Sequence, residues 1–258
     1  MILNIAAYQF APVDDPEALA AILRERARSA LLRGTILIAG EGLNLFLAGE
    51  DAPLEGFLDR LREDPRFAGI VVKRSHSADQ PFARLKVKCK KEIISFRQPR
   101  ISPLAERAPA VTPARLAAWL QAGRDDNGRR VVLLDTRNRD EVRHGTFDGA
   151  ICLPIDRFTD LPAALEAKCD ELADATVVSF CTGGIRCEKA ALWMRGNGLP
   201  HTVQLEGGIL GYFEQMGGYA YRGACFVFDE RVALDPSLAP RGTVDPSAVA
   251  PHVESDRT

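Results

Sequence analysis

The chain has 258 residues, a formal net charge of −2 and 46% hydrophobic residues. That length suits one large or two ordinary domains with real cores, and the near-zero balance excludes a bulk-charge polyanion binder, so any nucleic-acid contact must come from a local patch. The six cysteines (Cys89, Cys152, Cys169, Cys181, Cys187, Cys225) include no CxxC pair and lie far from the four histidines, a pattern that fits neither structural zinc nor a disulfide framework. Met1–Asn4 carries no cationic leader, and no apolar run approaches membrane-spanning length; the chain is therefore expected to be cytoplasmic, without membrane partner, and with reduced thiols.

Residues 1–98 read as a small α+β unit. Ile2–Phe10 is strand-like, and Pro16–Arg33 carries helical spacing of Leu19, Ile22, Leu23, Ala27, Ala30 and Leu31 up to Gly34, expected as a left-handed C-cap. Thr35–Ala39 and Leu43–Leu47 are apolar strands joined through Gly40-Glu41-Gly42, a hairpin signal; Leu54–Leu61 makes a second helix and Ile70–Val72 a fourth strand. The order βαββαβ predicts a ferredoxin-like domain. Residues 73–100 then concentrate Lys73, Arg74, Arg84, Lys86, Lys88, Lys90, Lys91, Arg97 and Arg100 against only Asp79 and Glu92. Lys86, Lys88 and Lys90 alternate with Val87 and Cys89, so a strand would carry the lysines on one face. Such a strand reads either as a phosphate-contacting ribbon or as a solvated edge guarded by lysine.

Proline-rich residues 99–111 form the expected linker. Thr112-Pro113 opens a helix that runs to Gln121 and stops at Gly123. Val131–Leu134 and Val177–Phe180 are continuous apolar runs, as buried parallel strands require, and Val203–Leu205 is a third; helical stretches lie between them at Leu161–Leu172 and Glu188–Arg195. Residues 112–225 therefore predict an α/β domain with its ligand site at the strand C-termini, where Asp135 and Cys181 fall. From residue 226 to 258, charge, proline and small residues predict a poorly ordered tail.

Cys181-Thr182-Gly183-Gly184-Ile185-Arg186 follows a strand and opens a helix. The backbone N–H groups of Thr182, Gly183, Gly184 and Ile185 converge on the cysteine, and together with the helix dipole they favour thiolate over thiol. Arg186 adds a permanent charge on the rim. A strand-end cysteine is otherwise an inert buried hydrophobe; the glycines, helix and arginine make this one a reactive nucleophile. Asp135 and Arg137 read either as braces of the loop through charge-assisted hydrogen bonds or as an ordinary ion pair of the fold. Cys187 reads either as a resolving thiol or as a small packing residue.

Leu134-Asp135-Thr136-Arg137, Glu141, Gly145–Ile151, the cysteine loop and Leu205–Ile209 together resemble a rhodanese domain over about 112–222. Four residues separate Cys181 from Arg186, as in sulfurtransferase-type loops; related phosphatases have one more. With Gly34–Asn44 and Pro81–Lys88 in the first domain, the chain is similar to the bacterial rhodanese-like tRNA uridine hydroxylases. That resemblance implies oxygen-dependent hydroxylation at carbon 5 of the wobble uridine, tRNA as partner, molecular oxygen as co-substrate, and Cys181 as the active-site residue. It also favours phosphate contact by Arg84, Lys86, Lys88, Lys90 and Lys91. The alternative activity is a sulfurtransferase working through a Cys181 persulfide. Two departures stand out: Leu45-Phe46 where Gly-Thr is commoner, and only Cys225 after Cys187 where longer members carry a cysteine-rich segment. The sequence contains no facial-triad, flavin or haem motif, no metal site, no named electron donor and no inferable protein partner. Addition of the Cys181 thiolate at carbon 6 of uracil would make carbon 5 electron-rich; a persulfide or a peroxide-derived oxygen on Cys181 is the competing role.

Overall fold

The computed structural model describes residues 1–241. In the first domain β1 (Ile2–Phe10), α1 (Pro16–Ser29), β2 (Arg33–Ala39), β3 (Gly42–Gly49), α2 (Asp51–Arg62) and β4 (Val71–Ser77) give the ferredoxin-like order β4-β1-β3-β2. A fifth strand, β5 (Leu85–Cys89), extends the edge parallel to β2. Strand alternation divides the sheet cleanly. Leu3, Ile5, Ala7, Ile36, Ile38, Leu43, Leu45 and Leu47 pack under α1 and α2 against Leu19, Leu23, Leu54, Phe57 and Leu58. The opposite face carries the cross-strand row Lys73, Ala6, Phe46, Thr35, Lys86, and beside it Tyr8, Asn44, Leu37, Lys88. One face is thus core, and the other is turned to the second domain.

The first helix ends earlier than its periodicity suggests. Leu31 takes the left-handed turn (φ 54), and Gly34 lies inside β2 at φ 127, where a β-carbon would strike the Phe46 carbonyl. The glycine is a strand-crossing requirement here, not a helix cap.

The second domain is a five-stranded parallel sheet in the order β6-β11-β10-β7-β9, built from β6 (Ala110–Val111), β7 (Val131–Asp135), β9 (Ile151–Cys152), β10 (Thr176–Phe180) and β11 (Val203–Leu205). Its connections include α3 (Pro113–Ala122), α4 (Arg139–Val142), β8 (Gly145–Phe147), α5 (Leu161–Glu166), α6 (Cys169–Leu172), α7 (Ile185–Gly196) and α8 (Gly208–Met216). The single helix expected over 161–172 is two short ones. Both sheet faces are covered: Leu133, Val178 and Phe180 pack with Leu116, Ile209 and Phe213, and Val132, Leu134 and Val177 with Leu161, Ala190 and Trp193.

Residues 226–241 are not the loose tail that their composition suggested. After β12 (Tyr221–Gly223), strand β13 (Cys225–Phe226) pairs with β14 (Ala233–Leu234), and Cys225, Val227 and Leu234 enter the core beside α8. Between these strands Arg231 forms a fork with Asp229 at 2.6–2.8 Å and donates to Ser75 Oγ of β4 at 2.7 Å, while the Glu230 N–H reaches the Pro81 carbonyl. The segment is a strap across both domains, and the rest of the expected tail, 242–258, lies outside the described residues. The segment that leads into the expected linker is also anchored. Phe96 stacks on Phe158 at 4.6 Å within the second core, and Ile93 joins Phe10, Ala39 and Ile185 in an apolar cluster between the domains.

Candidate active site

Cys181 leaves the C-terminal end of the central strand β10, and Gly184, at φ 96, turns the chain into α7. The neighbouring helix clamps this loop: the Ile209 and Leu210 N–H groups donate to the Cys181 and Thr182 carbonyls at 2.9 and 3.0 Å. A side chain at Gly208 would strike the Cys181 carbonyl, so this close approach needs glycine. The Gly184 N–H donates to Cys181 Sγ at 3.1 Å. Burial pushes the thiol upward, but the Cys187 thiol, the Arg186 charge and the N–H groups of Arg186 and Gly184 outweigh it and hold Cys181 down at about 6. It is the one cysteine whose thiol is held below its ordinary value; burial raises the other five.

Cys187 sits one turn on, fully buried, with Thr136 Oγ1 3.8 Å from its sulfur. Burial raises its thiol well above the ordinary range, and the adjoining Cys181 thiolate raises it further, so it stays protonated and donates to Cys181. Arg186 does not stand free on the rim. Its guanidinium pairs with Glu141 of α4 at 2.8 Å, its side chain is only 11% exposed, and it lies 5.7 Å over the Phe228 ring. Glu141 stood in the sequence only as a motif residue; its role as counter-charge to Arg186 emerges from the fold.

Asp135 and Arg137 are completely buried and grip each other in a two-pronged pair at 2.7 and 2.9 Å. Arg137 also donates to the Gly145 carbonyl, and Asp135 accepts from Thr146 Oγ1 at 2.8 Å. Their hydrogen bonds thus go to β8 and not to residues 181–186. They are the ion pair of the fold, and the loop is held by α8 instead.

The first domain reaches this site as well. A cavity of about 580 Å³ lies between the domains, lined by Cys181, Thr182, Gly183 and Arg186 on one side and by Tyr8, Thr35, Leu37, Phe46 and Lys73 on the other, with Phe228 and Arg231 of the strap closing a wall. Tyr8 donates to Glu188 of α7 at 3.3 Å, and its hydroxyl would stand 3.1 Å from a β-carbon at Gly184. Burial, with the negative charges of Glu188 and Cys181 added, raises the Tyr8 phenol well above its ordinary range. Lys189 of α7 crosses the interface to Glu41 (2.9 Å), Glu92 (2.8 Å) and the Ile94 carbonyl. Lys86, Lys88 and Lys90 are exposed, with Lys86 and Lys88 extending the sheet face that roofs the cavity, and Lys90 on its lining. Arg84 and Lys91 are exposed at the two ends of the same strand. Sequence reasoning counted Lys73 only as one charge among nine. Its alternation with Val72 and Arg74, which take the helix side of β4, was the available sign that it faces away from the helices.

Fold and site together define a two-domain protein in which a rhodanese-like cysteine loop is roofed by a ferredoxin-like sheet. Family models agree: residues 2–93 match a "UPF0176 acylphosphatase like domain" and residues 115–215 a "Rhodanese-like domain". A protein of Xanthomonas campestris pv. campestris (strain B100) called tRNA uridine(34) hydroxylase is 63% identical over 242 residues, covering 94% of this chain and 96% of its own. One of Xylella fastidiosa (strain M23) with the same name is 58% identical over 240 residues, 93% of each chain. The chain belongs to the tRNA uridine(34) hydroxylase family.

Proposed function

We propose that this protein hydroxylates carbon 5 of the wobble uridine of tRNA, with molecular oxygen as co-substrate. The observation that carries this reading is the cavity between the domains, with a thiolate-forming Cys181 at its base and walls from both domains. Its volume is in the range of small-ligand pockets, enough for an unstacked nucleoside. Cys181 is the reacting group, adding at carbon 6 of the ring and leaving carbon 5 electron-rich. Lys86, Lys88 and Lys90 continue the roof of the cavity outward, so a base entering the cavity brings its flanking phosphates toward them. Arg84 and Lys91 extend that contact. The work is cytoplasmic, where tRNA is the partner; among the described residues no helix is long and apolar enough to cross a membrane.

Nucleosides from a deletion strain, measured by mass spectrometry, test the reading. Loss of 5-hydroxyuridine-derived nucleosides, restored by the wild-type gene and not by Cys181→Ser, is the expected result. Unchanged nucleosides would refute it. Thiosulfate and cyanide, with thiocyanate as product, test the sulfurtransferase reading, which requires robust turnover that Cys181→Ser abolishes.

A further inference from the structure

The side chain of Lys73 is the feature that the cysteine chemistry leaves unexplained. It comes from β4 of the first domain, is only 8% exposed, and lines the cavity with Cys181. Among the described residues nothing accepts a hydrogen bond from its Nζ and no carboxylate lies within ion-pair distance; the Nζ stands 5.4 Å from the centroid of the Tyr8 ring. Its ε-carbon lies against Gly207, ahead of the α8 N-terminus that clamps the cysteine loop. A helix N-terminus is itself electropositive, so the ammonium gains nothing there. Burial lowers the Lys73 ammonium from its ordinary value; the Cys181 thiolate and the carboxylates of Glu214, Glu188 and Glu206 oppose that from a distance. A buried, unpaired charge costs folding energy unless something completes it, and this one lines the cavity.

We propose that Lys73 is a second catalytic residue, whose ammonium receives the carbonyl oxygen at position 4 of the uracil ring while carbon 6 faces Cys181. The inference rests on the hydroxylase reading above and deepens it. In the step it serves, the sulfur lone pair forms the S–C6 bond. The C5=C6 pair moves to C4–C5, and the C4=O4 π pair moves onto O4. The new charge on O4 is taken up by the waiting N–H groups of Lys73, placed before the charge develops. No electron leaves or enters the pair of molecules, and reversal returns uridine and thiolate. Because the ammonium belongs to the first domain and the thiolate to the second, the rhodanese unit alone cannot form this site.

The step can be read without oxygen. In D₂O the enolate takes a deuteron at carbon 5; loss of the original proton from carbon 5, with cleavage of C6–S, returns uridine labelled at that carbon. Full-length protein is incubated anaerobically with tRNA bearing an unmodified wobble uridine, and label at that position is measured by mass spectrometry. Wild type is expected to exchange and Cys181→Ser not to. Lys73→Met is expected to slow exchange by about 100-fold or more, the usual scale for removing one oxyanion donor, and Lys73→Arg to recover part of the loss. The melting temperature of Lys73→Met should be unchanged or higher, because a methionine removes the unpaired buried charge; a structural lysine would instead give a lower one. Exchange by Lys73→Met within about threefold of wild type overturns the proposal, being far below the loss expected for an oxyanion donor. So does a wild type that hydroxylates in air and never exchanges, which leaves the hydroxylase reading intact. A wild type that does neither removes the hydroxylase reading, and the proposal with it.

Discussion

Replacing Arg186 by alanine separates charge from geometry at the cysteine loop. The guanidinium is nearly buried and shares its charge with Glu141 at 2.8 Å, so its removal has two consequences of the same sign. The thiolate loses a nearby cation, and the Glu141 carboxylate, 1% exposed, is left without its partner beside the loop. The Arg186 charge is among the causes that lower the Cys181 thiol, and a nearby opposite charge holds an acid down by roughly one to three units. Taking about two, the Cys181 midpoint should rise from about 6 to roughly 8, and the thiolate fraction at neutral pH should fall from roughly nine-tenths to one-tenth. Iodoacetamide alkylation at pH 7 should slow by about tenfold and regain its wild-type rate in alkali, where both proteins are thiolate. The readout is selective, since burial raises Cys152 to about 11 and Cys225 to about 12, and Cys187 stays protonated. Glu141→Gln should move the midpoint the other way by freeing the arginine charge. If both variants titrate with wild type, the Arg186 charge is spent on Glu141, and the N–H groups and Cys187 alone set the thiolate.

Asp135→Asn leaves the buried Arg137 without its counter-charge and should destabilise the second domain by about 3–5 kcal/mol, seen by thermal melting, with the Cys181 alkylation midpoint unmoved; a shifted midpoint would restore the pair to the loop. The triple change Lys86→Ala, Lys88→Ala, Lys90→Ala should weaken binding to all tRNA sequences and flatten the salt dependence by about one unit for each phosphate no longer neutralised; affinity and slope that both survive would return β5 to a lysine-guarded edge. Lys189→Met should loosen the domains and change their response to acid. Burial pulls the Glu92 carboxyl upward, but Lys189 and the Phe96 and Arg97 N–H groups hold it below its ordinary value. Its contribution is therefore present above the unfolded value of about 4.3 and lost as pH falls through the folded value. Wild type should lose this stability in acid and Lys189→Met should lose less; identical acid melts would show that the interaction carries no net stability.

The order β-α-β-β-α-β, the parallel strands of the second domain and the cysteine loop were legible in the sequence because each rests on short-range rules. Alternation along β1 sends Leu3, Ile5 and Ala7 to one face whatever lies beneath them, and a cysteine between a strand end and two glycines meets the N–H groups of its own helix turn. Local pattern also misled: Gly34 looked like a helix cap because nothing local shows the Phe46 carbonyl against it, and residues 226–241 looked loose because their partners, Ser75 and Pro81, lie some 150 residues away in the chain. Arg186 carried its charge in the sequence and acquired Glu141 only in the fold. The same holds most strongly for Lys73. Alternation along β4 gives the face that Lys73 takes and nothing more; it becomes a buried side chain sharing a cavity with Cys181 only when the uncovered face of one sheet closes over the strand ends of another. Backbone geometry determines what a residue can do with its near neighbours, and domain packing determines which distant charges share a cavity with little water between them, where their interaction is strong.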